Sequence, residues 1–181
     1  METATGVKRG NDHGAWSALR RAMESNKDIP IVEVSTFSHE EFSSHFTMGE
    51  ALATLRDEGI LIIGSGMLVH NLHLLQSHQN MPSPQFVKDF DAVAEKVICQ
   101  LKGEERKKAA GELNNHQAFR ESHPTAEHLT PLYVAIGAAG NDQGIRLLKK
   151  YESSLSWGSF AFGLPETTTL PQYANVADDE V

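Results

Sequence analysis

Residues 59–71 read Gly-Ile-Leu-Ile-Ile-Gly-Ser-Gly-Met-Leu-Val-His-Asn, or GILIIGSGMLVHN. An apolar run ends in two closely spaced glycines and delivers a histidine. Three readings compete: a phosphate-binding loop, a plain strand-to-helix turn with a surface histidine, or a strand end presenting a metal ligand. Ile60 to Ile63 has the pattern of a buried strand. Upstream, Pro30 opens PIVEVST, a β-branched run that reads as another strand. Between them, SHEEFSSHFTMGEALATLRDEG carries Phe42, Phe46, Leu52 and Leu55 at near-helical spacing. Ser38 is a candidate cap for that helix and Gly59 is placed to end it. Strand, helix and strand make a βαβ unit, which predicts parallel pairing and a right-handed crossover. The expected fold is α/β, a single domain with a largely parallel sheet flanked by helices. Ligands of open α/β sheets gather at the carboxyl ends of strands, where Gly64, Ser65, Gly66 and His70 fall.

The rest of the chain fits one domain. Trp16 to Met23 is short and helix-like, and LHLLQSHQN after Asn71 is a short helical stretch followed by the loop MPSPQ. Phe86, Phe90, Val93, Val97 and Leu101 line one face of an amphipathic helix. GEERKKAAGEL continues as a charged, exposed helix. Thr125 can cap a helix running through Leu132 to Ile136, with Pro131 in its first turns. SWGSFAFGLP alternates like a strand. The domain is expected over residues 1–165, with a loose tail at 166–181. The length of 181 residues and the 40% hydrophobic content are enough for a real core.

Charge and cysteine usage exclude several function classes. Lys+Arg 16 against Asp+Glu 24 leaves a net charge of −8, which argues against a nucleic-acid binder. The single cysteine, Cys99, excludes an intrachain disulfide and a Cys-rich zinc site, and its amphipathic context reads as core. The N-terminus METATGVKRGNDHG lacks an apolar signal region, and no apolar run approaches the ~20 residues of a membrane span. A soluble cytoplasmic protein, without a membrane or nucleic-acid partner, is the expectation.

The phosphate reading of the opening stretch is weak. A dinucleotide loop needs Gly-x-Gly-x-x-Gly, and Val69 stands where the third glycine belongs. The Walker pattern is absent. The glycines still fit a tight turn, and Ser65 can donate a hydrogen bond to an oxygen-bearing ligand. Taken alone, a histidine at position 70 is more often structural than a ligand. Two further segments concentrate histidine. Asp12-His13-Gly14 places an imidazole beside a carboxylate in a loop before a helix. Ser122-His123-Pro124-Thr125-Ala126-Glu127-His128 holds His123 extended before a proline, with His128 in the first turn of the next helix. Each of these taken alone reads equally as a polar turn or a cap. His73 and His78 read as surface helix residues.

In their order, Asp12-His13-Gly14-Ala15-Trp16, Gly64-Ser65-Gly66 with His70-Asn71, and His123 to His128 with Gly137-Ala138-Ala139-Gly140 form a more specific pattern. The chain resembles the class III extradiol ring-cleavage dioxygenases of the LigB superfamily, in their DOPA 4,5-dioxygenase-like branch. The likeness runs from about Gly10 to Gly163. It implies an α/β domain that opens a catechol-type ring beside its two hydroxyls, inserting both atoms of O₂. It implies a non-haem Fe(II) site, with zinc described for some members. By the same resemblance, His13 is the acid–base catalyst, His70 is a metal ligand, and His123 and His128 are pocket histidines expected to hydrogen-bond a metal ligand or the substrate in preference to coordinating directly. Ser65, from its place at the strand end, is expected to bind substrate as well.

Two departures shape the expectation. Members of this family open with a strand and a His-Gly turn, followed by a second metal-binding histidine, both upstream of the Asp-His-Gly segment. Here twelve residues precede His13 and none is histidine. Asn11 also stands where a leucine is usual. The chain is therefore expected to be the C-terminal portion of a longer enzyme, lacking its N-terminal strands, inactive or poorly active alone, and prone to self-association. The competing class is a non-catalytic remnant that keeps the pocket and binds a partner.

Overall fold

Apolar periodicity accounts for the longest helix, and an aspartate cap, a glycine stop and an N-terminal proline mark the ends of others. The structure, a computed structural model, describes Gly6 and residues 10–170; the expected loose tail lies outside the described residues from position 171 onward. The chain divides into two units, Met1–Ser35 and Thr36–Val181.

In the first unit, α1 spans His13–Ala22. Asp12 is its N-cap, its side chain accepting from the Gly14 N–H at 2.9 Å, which satisfies one of the donors left open at a helix start. Arg20 and Arg21 occupy the last turn, where positive charge opposes the negative end of the helix dipole. PIVEVS follows without regular secondary structure and pairs with no strand among the described residues. Ile31, Val32 and Val34 are exposed, Val32 to 85%.

The second unit begins with α2, Phe42–Leu52, and a 3₁₀ continuation over Ala53–Glu58. Gly59, at φ 81°, stops it as expected. Then come the short strand β1 (Val69–His70), a 3₁₀ turn at Leu72–Leu74, α3 (Gln85–Gln100), α4 (Gly103–Gly111), α5 (Phe119–Ser122) and α6 (Thr130–Ala139). The chain closes through β2 (Gly144–Leu148), β3 (Tyr151–Glu152), β4 (Leu155–Ser156) and β5 (Ser159–Phe162). Helix α3 matches its expected bounds within a residue. Pro131 sits in the first turn of α6, where its missing N–H costs nothing. That helix starts at Thr130 and not after Thr125, so His128 lies in the turn ahead of it.

The expected parallel sheet is not formed. The order in one sheet is β1-β4-β3 and in the other β2-β5, and every pairing is antiparallel. The reason lies in partners. Ile60 to Ile63 has no regular secondary structure and pairs with no strand among the described residues. Ile60, Leu61 and Ile63 are exposed, Leu61 to 79%. β-branched runs specify extended backbone, but a parallel strand also needs neighbours and covering helices on both faces. The strands that do pair lie mostly in residues 144–162, where a local reversal joins β3 to β4, and β1 joins them from earlier in the chain.

The core is helical and aromatic. Phe42 stacks on Tyr133 at 4.0 Å between ring centroids, Phe46 meets the same ring edge-on, and Phe90 and Phe119 close the cluster with Val87 and Ile98. Each such buried side chain contributes roughly 1.5–3 kcal/mol. The Tyr133 hydroxyl donates to the Ala110 carbonyl at 3.0 Å, so its polar end is satisfied. Helices α2 and α6 touch through glycines: a Cβ at Gly49 or Gly137 would strike the backbone of the other helix. Two buried charges tie this core to the strands. Arg106 donates to the carbonyls of Asp142 and Gly140 at 2.8 and 2.6 Å. Asp91 is fully buried and accepts both terminal nitrogens of Arg146, each at 2.8 Å, with Ser156 Oγ at 2.5 Å and Tyr151 Oη at 3.1 Å. Cys99 is half-buried against the core, and burial raises its thiol pKa, as suits an unreactive packing residue.

Candidate metal and substrate site

The run after Gly59 does not turn at its glycines. It bends only at Leu68, just ahead of β1, and the glycines serve close approach. A Cβ at Gly64 would collide with the Pro131 carbonyl oxygen, and one at Gly66 with the His128 carbonyl oxygen. Without side chains there, the run lies directly against the start of α6. The Met67 N–H donates to the same His128 carbonyl at 2.8 Å. The pair of glycines brings residues 67–70 against the turn that carries His128.

The result is a face-to-face pair. The His70 and His128 rings lie 3.6 Å apart between centroids, with planes 18° from parallel. His70 sits on β1, which pairs antiparallel with β4, His70 opposite Leu155 and Val69 opposite Ser156. Burial, and then the neighbouring His128, push the His70 pKa below the ordinary imidazole value, against the opposite pull of Glu127. Both effects favour a neutral ring, the form that offers a lone pair. The His128 Nδ1 is buried without a hydrogen bond; the nearest carboxylate oxygen, of Glu127, is 3.6 Å away.

His123 lies behind this pair. It is fully buried, edge-on to Phe90 at 5.2 Å, and its Nε2 contacts the Leu68 carbonyl at 2.8 Å. A carbonyl only accepts, so Nε2 carries the proton and Nδ1 is the bare nitrogen. That Nδ1 has no hydrogen-bond partner among the described residues. Desolvation lowers the His123 pKa to about 4, so the ring is neutral at pH 7.

The other expected residues are placed as follows. Ser65 is exposed on the run after Gly59. His13 is the first residue of α1, exposed, with its ring edge-on to Trp16 at 5.1 Å. The Asp12 carboxylate beside it caps the helix through Gly14, and the Asp12 N–H donates to the Glu33 carboxylate at 3.0 Å. His73 is exposed, while His78 is half-buried with Nδ1 against the Leu74 carbonyl at 3.1 Å. The second unit thus brings together His70, His123 and His128. Sequence reasoning named Asn71 only as part of the family pattern, without a role, and passed over Ser154; their bonds hold β1 in place. The only signal was an asparagine directly after a candidate ligand.

Tested against a divalent metal, the pair fits in donor chemistry. Two imidazoles stand face to face, and the His128 Nδ1 is buried with no hydrogen-bond partner among the described residues. The number of donors is short: among the described residues, no group of three or more His, Cys, Asp or Glu is arranged to hold a metal ion.

Comparison with known proteins defines the class. Residues 2–163 match the family described as the catalytic LigB subunit of aromatic ring-opening dioxygenase. The chain belongs to this family. Among its relatives is a 4,5-DOPA dioxygenase extradiol of Beta vulgaris, 36% identical over 160 residues, which are 87% of this chain and 58% of the relative. A protein of the same name from Escherichia coli K12 is 33% identical over 138 residues, 76% of this chain and 50% of the relative. The crystal structure of an uncharacterized Escherichia coli K12 protein superposes with a TM-score of 0.72 at 32% identity, covering 87% of this chain and 65% of that one. The chain spans about half the length of the curated relatives it matches. Among the described residues, no helix is long and apolar enough to cross a membrane.

Proposed function

We propose that this chain carries part of the active site of an extradiol dioxygenase that opens a catechol-type ring with O₂ in a cytoplasmic setting. The observation that carries the reading is the His70–His128 stack, two imidazoles brought together in a LigB-family chain. His70 would hold the metal, Fe(II) or zinc, with the His128 nitrogen beside it to bind the metal or a catechol hydroxyl. Bound there, a divalent metal would let catechol and O₂ react at one centre. Ser65 and His128 would orient the substrate by hydrogen bonds to its oxygens, and His123 would support them from behind. His13 would take the proton of a catechol hydroxyl and return it to the ring-opened product, the ordinary work of a general base and acid.

A facial iron site needs three protein donors. The two imidazoles of the stack fall short of that, so the chain alone should bind metal weakly and turn over poorly. Oxygen uptake with a catechol and anaerobically loaded Fe(II) tests the reading, in this chain and in a full-length protein that contains it. In the longer protein, His70→Ala should lose metal, and His13→Ala should keep metal and lose turnover. Metal loss in both variants would make His13 a ligand. Retained turnover in His13→Ala would remove its acid–base role.

A further inference from the structure

We propose that Asn71 is a positioning residue, holding the strand of His70 against the turn of His128. The inference rests on the functional reading above for its purpose, but its geometry stands independently. Three bonds cross between residues 67–71 and 121–128. The Met67 N–H donates to the His128 carbonyl at 2.8 Å, the His123 Nε2–H to the Leu68 carbonyl at 2.8 Å, and the Asn71 Nδ2–H to the Glu121 carbonyl at 2.7 Å. The last two are reciprocal, each segment lending one side chain to the backbone of the other. Asn71 is also the point where a third segment joins. Its carbonyl accepts from Ser154 Oγ at 2.5 Å, in the turn that connects β3 to β4. Its own Oδ1 accepts from the His73 N–H at 3.1 Å and starts the 3₁₀ turn that carries the chain away from the site.

Asn71 is buried, and both halves of its amide are used. The side chain must offer a donor on one side and an acceptor on the other, at a length that reaches both. Aspartate supplies only the acceptor and alanine neither. Partners that hydrogen-bond a ligating histidine ring commonly change metal affinity by about 10–100-fold when removed; Asn71 stands one step further out and holds the strand that carries the ring. Asn71 touches neither reacting atoms nor the histidine rings; it acts through the backbone of β1 and of α5.

Histidine-labelled NMR of the 181-residue chain tests the proposal without metal. In the wild type, facing rings should displace the His70 and His128 ring protons upfield and give cross-relaxation between them. Asn71→Ala and Asn71→Asp should abolish both signatures while circular dichroism shows the helices retained. Tyr133→Phe, which deletes a buried hydrogen bond remote from the pair, should lower the melting temperature and leave the ring signals unchanged. Should Asn71→Ala fail to fold, Ser154→Ala, which removes only the bond to the Asn71 carbonyl, decides through the same signals. Zn(II) titration by calorimetry forms the second arm, with affinity expected to fall about tenfold or more in Asn71→Ala. Stack signals that are absent in the wild type, unchanged in folded Asn71 or Ser154 variants, or equally lost in Tyr133→Phe would overturn the proposal. Loss of the stack in Asn71→Ala with no Zn(II) binding in the wild type would sustain the positioning role and defeat the metal reading.

Discussion

The His70 and His128 rings face each other at 3.6 Å, brought together by a run of chain that has no side chain where it meets the start of α6. Gly66 makes that approach possible. Gly66→Ala is expected to push the run away from the His128 carbonyl, break the Met67 bond to it, and separate the rings. The loss should be read as weaker Zn(II) binding by calorimetry, comparable to that of His70→Ala, with the helical core retained by circular dichroism. Binding equal to the wild type would show that the glycine contact does not set the pair.

His123 predicts a pH dependence of stability. It is buried as the neutral ring, its pKa about 4 against an ordinary value of 6.5. Between those values the unfolded chain binds a proton that the folded chain refuses, so stability rises with pH. The contribution is complete above pH 6.5 and is lost as pH falls toward 4, up to about 3 kcal/mol. Urea denaturation at pH 7.5 and 4.5 measures it. The difference between the two pH values should be larger in the wild type than in His123→Gln, which cannot titrate. Equal differences would mean that His123 is protonated in the folded chain.

Helices were legible in the sequence where the pattern is local and long. The five apolar positions from Phe86 to Leu101 define α3 on their own, and Pro131 marks the start of α6 better than the cap at Thr125 does. The sheet was not legible. Ile31 to Val34 and Ile60 to Ile63 carry the residues of strands, but pairing is a property of the partners, and among the described residues they have none. The short strands β1, β3 and β4 leave no periodic trace. The site followed the same division. His13, His70, His123 and His128 stood out by type and by family pattern, whereas the stacking of His70 on His128 arises from a glycine contact distant in sequence. The buried Asp91 was hidden because its partners, Arg146, Tyr151 and Ser156, all lie on the C-terminal strands.

That buried carboxylate gives a sharp contrast between two cations. Arg146 bonds Asp91 through both terminal nitrogens in a buried setting, while Lys149 stands 3.6 Å from the partly exposed Glu95. Removing one partner of a buried pair leaves a charge without compensation and costs about 3–5 kcal/mol. A surface pair contributes about 0–1 kcal/mol. Arg146→Met should therefore move the denaturation midpoint strongly, and Lys149→Met hardly at all. Because Ser156, another donor to Asp91, pairs with Val69, the Arg146 variant should also loosen β1. Similar effects from the two substitutions would show that Asp91 does not depend on Arg146.

The exposed apolar runs predict association. Ile60, Leu61 and Ile63 form an exposed apolar stretch without charge and without a strand partner among the described residues, and Ile31, Val32 and Val34 are exposed likewise in the first unit. Extended apolar chain with an open edge is a template for pairing with another copy, and contiguous apolar surface favours association. Light scattering of the 181-residue chain should show mass rising with concentration. Leu61→Lys and Ile63→Lys place charges on the run, where side chains that face solvent can change with little effect on folding. Each should shift the population toward monomer at unchanged helical content. The net charge of −8 opposes close approach, so added salt should promote association in the wild type by screening that repulsion. A monodisperse wild-type monomer at all concentrations, indifferent to salt, would show that these runs are covered within a single chain.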